Sequence, residues 1–360
     1  MCSHMDVDTR VELIARRPCE EIVTPQELRE LLASKDKPVA YNGFEPSGLM
    51  HLGTGLLSAL KIMDLVRAGV RYKVLLATWH AWLNNKFGGD MEKIRIAAKY
   101  FIEGWTALGV DPSAVEYVMA DDLVSRSEYW ETLLRVASRV TLNHVVRALP
   151  IMGRTQSEAL KFGAYIYPMM QVTDIFMLGA DIAQLGMDQR KANMLAKEVG
   201  PTLGLWSPVA VHHHLLAGLS GPRKMGMDEN EALDAQISSK MSKSKPDTAI
   251  FIHDTPEEIR SKIRKAYCPE RVIENNPIVD YVQHLILRDD TQTLLVDRPP
   301  HKGGPIEVTW PELKALYLKG EIHPLDLKAT VAESLIKMLE PARKHFANKE
   351  ELIKQLSPTV

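Results

Sequence analysis

Two short stretches far apart on the chain carry residue types suited to holding a phosphate. Residues 46–55 read Pro-Ser-Gly-Leu-Met-His51-Leu-Gly53-Thr54-Gly55, and residues 240–244 read Lys240-Met-Ser-Lys243-Ser. The first joins a glycine-containing turn, running from Gly43 to Gly53, to a helix start. There the unpaired backbone N–H groups and the helix dipole favour an anion, with His51 and Thr54 as side-chain donors. The second supplies two ammonium groups on a flexible loop for the same anion. Either stretch alone is weak, because a short His-x-Gly arises by chance and Ser/Lys-rich loops are usually just solvated. The pair in this order is specific.

The chemistry that needs such a pair is activation of a carboxylate by ATP. The carboxylate attacks the α-phosphate while charge builds on the departing pyrophosphate, which calls for positioning and fixed positive donors rather than a nucleophilic side chain. His51 at the helix start and Lys240 and Lys243 on a closing loop meet that demand. A helix-capping or core role is the plain alternative for His51, and the downstream lysines are what favour the phosphate role.

The elements that must position these residues alternate. Val39 to Phe44, Tyr72 to Ala77, Val115 to Ala120 and Ala180 to Leu185 read as buried strands. Between them, Leu56, Leu60 and Met63, and then Ile94, Ala98, Phe101 and Trp105, recur at helical spacing. This alternation predicts an α/β fold, a Rossmann-like doubly wound parallel sheet with ligands at the carboxyl ends of its strands. Residues 218–248 change character, with glycines, acids and then the lysine-serine cluster, and predict a mobile loop. Thr255-Pro256-Glu257-Glu258 restarts regular structure as a capping box with proline at the first helical position. Ile278 to Leu287 and Ala329 to Phe346 read as helices. The expected organisation is an N-terminal segment (1–35), a catalytic domain (36–254) and a smaller α-helical domain (255–360).

Composition agrees with a folded two-domain protein: 360 residues, 45% hydrophobic and 25% charged. No run of eighteen apolar residues and no secretory leader is apparent, so a cytoplasmic protein without a membrane span is expected. The opening Met-Cys-Ser-His-Met is set aside from fold reasoning. Three scattered cysteines, Cys2, Cys19 and Cys268, suit neither a disulfide framework nor a zinc cluster. A net charge of −2 removes the simplest argument for nucleic-acid binding, so any RNA contact must be local. Arg260, Lys262, Arg264, Lys265 and Arg271 form one candidate, with a solvated helix face as the equal alternative. The triple His212-His213-His214 invites a metal reading. On a strand only His212 and His214 share a face, no Cys or carboxylate pattern accompanies them, and a strand end near a nucleotide fits better. No metal site is expected.

These motifs resemble the class I aminoacyl-tRNA synthetases, whose signatures are His-x-Gly-His and Lys-Met-Ser-Lys-Ser, and more narrowly the archaeal and eukaryotic tyrosyl type. The matching segments are Tyr41-Asn-Gly-Phe-Glu45-Pro-Ser-Gly, Tyr167-Pro-Met-Met-Gln171-Val-Thr-Asp174, Gly186-Met-Asp188-Gln189-Arg-Lys, Ala266-Tyr-Cys-Pro and His323-Pro-Leu-Asp326-Leu-Lys328. They span nearly the whole chain from about residue 20. The resemblance implies that Tyr41 and Asp174 bond a substrate phenol, that Tyr167, Gln171 and Gln189 hold its α-amino group, and that Asp188 meets the ATP ribose, with Gly43, Gly53 and His80 lining the nucleotide site. The chemistry agrees, since telling tyrosine from phenylalanine requires polar groups that go unpaired when the hydroxyl is missing. The tyrosyl enzyme is itself the standing example of such discrimination without editing. Tyr167, Gln171 and Asp174 could instead simply pair on one helix face. Three polar groups on an apolar segment are costly unless they line a cavity, and that favours a pocket.

Two departures from the family stand out. Thr54 replaces the second signature histidine, and loss of a preorganised donor can cost roughly 10² to 10³ in rate. Lys243, which many close relatives lack, is expected to compensate. Thr78 stands where relatives usually carry aspartate. For tRNA, the resemblance puts Arg147 near the first acceptor base pair and Asp326 at the first anticodon base. Asp326 could equally cap the helix beginning near Leu327, and relatives often place an aromatic residue near Lys302 that this chain lacks. The implied reaction takes L-tyrosine and Mg2+-bound ATP to tyrosyl-adenylate and then to tyrosyl-tRNA(Tyr), on an expected homodimer. The rivals are a tryptophanyl-tRNA synthetase, a tRNA-binding paralogue without catalysis, and a small nucleotidyltransferase. Tyr41 with Asp174, the intact His51 with its lysines, and the helical C-terminal domain argue against them in turn.

Overall fold

A computed structural model describes residues 5–153 and 160–357. Its centre is a six-stranded sheet built from β1 (Cys19–Val23), β2 (Val39–Phe44), β3 (Arg71–Leu76), β4 (Val115–Met119), β5 (Ile182–Gly186) and β6 (Val209–His213), in the order β1-β6-β5-β2-β3-β4. The four strands expected from apolar runs are β2, β3, β4 and β5, and all lie parallel. β2 and β5, at the centre, are buried on both faces, which is why they read as continuous apolar runs, whereas β4 at the edge is only half-buried. The sheet is not wholly parallel: β1, from the N-terminal segment, pairs antiparallel with β6 at the edge. The chain runs outward from β2 to β3 and β4, then returns on the other side of β2 as β5. The reversal opens a crevice at the carboxyl ends of β2 and β5, where α/β sheets hold their ligands.

The phosphate-type turn follows β2. Its helix begins with one wide turn over Gly53–Leu57, in which the Leu57 amide reaches back five residues to Leu52 O (2.8 Å), before the regular helix Ser58–Arg67. Helix Met91–Ala107 braces it from below: the Met50 amide donates to Tyr100 Oη (3.1 Å) and Trp105 Nε1 donates to Thr54 O (2.9 Å).

The segment 218–248 is more ordered than glycines and acids suggested. Within it lies helix Glu231–Ser239, started by Asn230, whose side chain accepts from the Ala232 and Leu233 amides. Leu233 and Ile237, one turn apart, pack with Leu215 and Met227, so a short apolar stripe outweighs the polar composition. The capping box at Thr255 and Glu258 forms as expected and starts helix Pro256–Lys265. Beyond it the C-terminal part is mainly helical, with Trp310–Lys319, Pro324–Met338, Glu340–Phe346 and Glu350–Leu356, plus a two-stranded ribbon of β7 (Leu294–Val296) and β8 (Ile306–Val308) that apolar spacing did not reveal. Residues expected as one helix from Ile278 to Leu287 form a short helix, Pro277–Tyr281, that widens over Val282–Ile286. Among the described residues no helix is long and apolar enough to cross a membrane.

Gly55 shows how tightly the turn is packed, because a Cβ there would lie 2.4 Å from Ile252 Cγ2, a β-branched atom with little room to move. Gly55→Ala should therefore destabilise the fold by about 1–3 kcal/mol. Urea denaturation followed by circular dichroism checks this, and an unchanged midpoint would mean the turn tolerates the extra methyl.

Candidate active site

A cavity of about 510 Å³ opens at the carboxyl ends of β2 and β5, within the roughly 300–1,000 Å³ usual for small-molecule sites. Its lining brings together Tyr41, Gly43, His51, Gly53, Thr54, His80, Tyr167, Gln171, Asp174, Asp188, Gln189, Lys240 and Lys243. Arg147 and Asp326 lie elsewhere. Arg147 is exposed in the last turn of helix Leu142–Ala148. Asp326 sits in the first turn of helix Pro324–Met338, whose cap is His323, accepting from the Leu325 amide at 3.2 Å. The capping role considered for Asp326 thus belongs to His323, because the helix starts three residues earlier than its apolar pattern indicated. Asp326 Oδ2 is buried without a hydrogen-bond partner among the described residues.

At the phosphate end, His51 Nδ1 accepts from the Gly53 amide (3.1 Å). That nitrogen carries no proton, so the neutral ring presents Nε2–H as a donor. Burial, reinforced by the nearby Lys243 and Lys240, holds its pKa down at about 3. Gly53 makes the fold-back possible: a Cβ there would sit 3.1 Å from His51 Cε1. Thr54 Oγ1 accepts from the His51 amide (3.2 Å) and lies 3.4 Å from His51 O, so its hydroxyl is engaged in the turn itself.

The two lysines behave differently. Lys240 forms an ion pair with Asp188 (2.6 Å), and although burial works against the carboxylate's charge, the Lys240 ammonium outweighs it and lowers the Asp188 pKa. Its backbone is tied down, the Gly218 amide donating to Ser239 O (2.8 Å) and the Met241 amide to Leu216 O (2.7 Å). Lys243 reaches across to Ser47 Oγ (2.6 Å), its stem lying over Gly48, whose φ of +74° and lack of a Cβ leave it room. Burial first, then Lys86, brings the Lys243 pKa down to about 7.

At the far end the Tyr41 hydroxyl is buried with no hydrogen-bond partner among the described residues. Burial and the neighbouring Asp174 push its pKa well up, so it stays a neutral donor. An unmade bond of this kind is costly unless a ligand completes it. Asp174, on helix Gly163–Met177 with Tyr167 and Gln171, accepts from Tyr129 Oη (2.9 Å) and lies 3.0 Å from His80 Nε2. His80, expected among nucleotide contacts, therefore sits against Asp174 and edge-on to Tyr167 (4.9 Å). Tyr167 Oη donates to Glu45 (2.5 Å), Gln171 Nε2 donates to Gln189 Oε1 (3.1 Å), and Gln189 Nε2 donates to Ile151 O (2.9 Å). Within the amino-group trio Gln171 and Gln189 are bonded to each other, while Tyr167 is tied to Glu45.

Sequence reasoning gave no role to Glu45, Ser47, Lys86 or Tyr129. Glu45 and Ser47 lay inside a quoted motif and were available. Tyr129 was not, because within helix Ser127–Ala137 its spacing matches an ordinary core position, and only the fold brings it to Asp174. The three histidines have different surroundings. His212 and His214 reach Glu21 (2.7 Å) and Glu20 (2.8 Å) on the edge strand, while His213, half-buried, lines the cavity, desolvation lowering its pKa to about 4. His214, Asp280 and His284 also cluster, with the His214 and His284 rings stacked at 3.9 Å and 11° and His214 Nε2 2.6 Å from Asp280. The basic run is also largely spoken for at its start, with Arg260 on Glu333 and Lys262 on Asp254.

Comparisons with known proteins agree with this geometry. A family model described as class I tRNA synthetases (W and Y) matches residues 33–238 and 232–340. The tyrosine–tRNA ligase of Pyrococcus horikoshii is 45% identical over 96% of this chain and 97% of its own length, and that of Aeropyrum pernix 48% over 94% and 93%. The crystal structure of the Pyrococcus horikoshii tyrosyl-tRNA synthetase with L-tyrosine superposes with a TM-score of 0.91 at 42% identity, covering 99% of this chain and all of that one. With both phosphate signals converging on one cavity and near-full-length identity to these relatives, the chain belongs to the class I aminoacyl-tRNA synthetases, in their tyrosyl branch.

Proposed function

We propose that this cavity binds L-tyrosine and ATP, forms tyrosyl-adenylate and passes the tyrosyl group to the terminal ribose of tRNA(Tyr). The observation that carries the reading is the buried, unpartnered Tyr41 hydroxyl beside Asp174, a donor and an acceptor at the closed end of a cavity whose mouth holds His51, Lys240 and Lys243. A phenol completes both. The α-amino group meets Gln171, Gln189 and the Tyr167–Glu45 pair, and the ribose meets Asp188 once Lys240 turns to phosphate. Thr54 acts by fixing the turn around His51, which leaves phosphate contact to His51 Nε2–H and the lysines. Magnesium enters with ATP as its counter-ion, since Glu45, Asp174 and Asp188 already face Lys86, Tyr129 and Lys240. A reaction whose substrate is tRNA places the protein in the cytoplasm.

Pyrophosphate exchange tests the reading. Wild type should exchange with tyrosine and scarcely with phenylalanine or tryptophan, and exchange with tryptophan alone would overturn it. Lys243→Ala should lower tyrosine-dependent exchange roughly 10² to 10³-fold. Because the Lys243 ammonium is lost as pH rises through about 7, kcat/KM for ATP should fall above that pH in wild type and stay level in Lys243→Arg.

On the family resemblance Asp326, relieved of the capping role by His323, is proposed to accept from an unpaired base edge of the anticodon. Charging of transcripts altered at the first anticodon base should suffer in wild type and much less in Asp326→Ala; equal losses in both would remove the role. Arg147, exposed and basic, is placed at the acceptor end on the family resemblance alone.

A second copy is the partner proposed for the exposed Trp130 and Leu134, one turn apart on helix Ser127–Ala137, and for Leu142 nearby in sequence. Sedimentation equilibrium should return a dimer that Leu134→Glu weakens, and a wild-type monomer at micromolar concentration would refute it.

A further inference from the structure

The tyrosine end of the cavity has a second layer that the reading above does not use. Asp174 is 2% exposed, yet its carboxylate makes its described contacts to two side chains from other elements. Tyr129 Oη, from helix Ser127–Ala137, donates to Oδ1 at 2.9 Å, and His80 Nε2, from helix Thr78–Leu83, stands 3.0 Å from Oδ2. Both partners are themselves buried, Tyr129 at 0% and His80 at 2%. His80 lies near Asp174 without the alignment of a hydrogen bond, and neither ring nitrogen has another hydrogen-bond partner among the described residues. The ring is kept in place by edge-on packing against Tyr167. A carboxylate on a helix has a soft terminal torsion, and left alone in an apolar pocket it would swing towards whatever donor was nearest. Here the Tyr129 hydroxyl holds Oδ1 by a hydrogen bond and the packed His80 ring stands against Oδ2, so the carboxylate has little room to turn.

We infer that Tyr129 and His80 are positioning residues for amino-acid specificity: they clamp the two oxygens of Asp174 so that it accepts only from a phenol placed beside Tyr41. The inference rests on the tyrosine reading proposed above and deepens it. Specificity of this kind comes from buried polar groups that lose their partner when the hydroxyl is absent, and it is sharp only if those groups cannot relax towards another partner. A loosely held Asp174 could turn to solvent when phenylalanine binds, which would soften the penalty. A clamped Asp174 cannot. Loss of either clamp should therefore act on tyrosine and leave phenylalanine nearly untouched, whereas a residue that merely supports the fold would affect both.

The test is pyrophosphate exchange by the full-length enzyme with tyrosine and with phenylalanine, comparing wild type, Tyr129→Phe, His80→Ala and His80→Gln. Tyr129→Phe, which keeps the ring and its packing, should raise KM for tyrosine and lower kcat/KM for it roughly 10- to 100-fold with little change in kcat. The same constant for phenylalanine should stay within about twofold, so that the ratio between the two falls. His80→Ala should do likewise, and His80→Gln, which restores an N–H near Oδ2, should recover part of the loss. Equal losses with both amino acids, or an unchanged ratio in Tyr129→Phe and His80→Ala alike, would overturn the inference. Failure of wild type to exchange with tyrosine at all would instead refute the function proposed above, so the two failures are distinguishable.

Discussion

The site depends on a short backbone pairing between segments that are remote in sequence. The Leu52 amide donates to Ile250 O (2.9 Å) and the Ile252 amide to Met50 O (3.1 Å), a bridge centred on His51 and Phe251. This joins the phosphate turn to the chain just beyond the lysine loop. Upstream, Lys240 is bridged to Ala217. The loop is thus fastened at both ends, and only the largely exposed stretch from Ser242 to Thr248 is left to move. Lys240 is the anchored cation, offered from a defined backbone position, while Lys243 rides on the movable span. Of the two lysines, Lys243 alone is seated on Ser47 and Gly48.

That fastening sets up an electrostatic arrangement in which each cavity carboxylate discussed has an internal counterpart. Asp188 has Lys240, Glu45 has Lys86 and the Tyr167 hydroxyl, and Asp174 has Tyr129 and His80. His51 is kept neutral by burial and by the lysines beside it, so it contributes a dipole rather than a charge. Such a site carries little net charge before substrate arrives, and the polyphosphate redistributes pairs that already exist. Fixed dipoles and short-range exchanges of this kind cost little reorganisation when charge shifts towards the leaving pyrophosphate.

The fold was legible because its central strands are buried on both faces and its helices carry clear stripes; β2 spans the same residues, Val39 to Phe44, that the apolar run marked. The edge strand β1 was not, since Cys-Glu-Glu-Ile-Val shows no apolar run, and its pairing relies on Glu20 and Glu21 meeting His214 and His212 across the edge. Helix Glu231–Ser239 was hidden by its acids. Within the site, residues tied to a motif could be found by spacing, and those tied only by tertiary contact could not. Tyr129 belongs to the second kind: nothing local distinguishes it from a core residue, and its meaning appears only when helices converge on Asp174, where His80, expected among the nucleotide contacts, also lies.

Thr54 illustrates how context changes a residue's role without changing its place. As a short hydroxyl in a phosphate motif it looked like a weakened donor. In the fold its oxygen accepts the His51 amide while His51 Nδ1 accepts the Gly53 amide, so the two side chains lock one another's backbone at the helix start. The Thr54 hydroxyl is engaged in this turn, where a second imidazole would offer a nitrogen to phosphate. The substitution therefore exchanges a direct contact for rigidity of the remaining one. Rigidity has value here because the first helical turn is wide rather than regular, with the Leu57 amide reaching to Leu52, and a wide turn leaves its leading carbonyls and amides less constrained by the helix itself. Tyr100 and Trp105 brace the same turn from below, and Phe346 of the C-terminal helices packs on Tyr100 at 5.2 Å. The direction of a single Nε2–H bond is in this way fixed by packing that extends from the sheet to the far end of the chain.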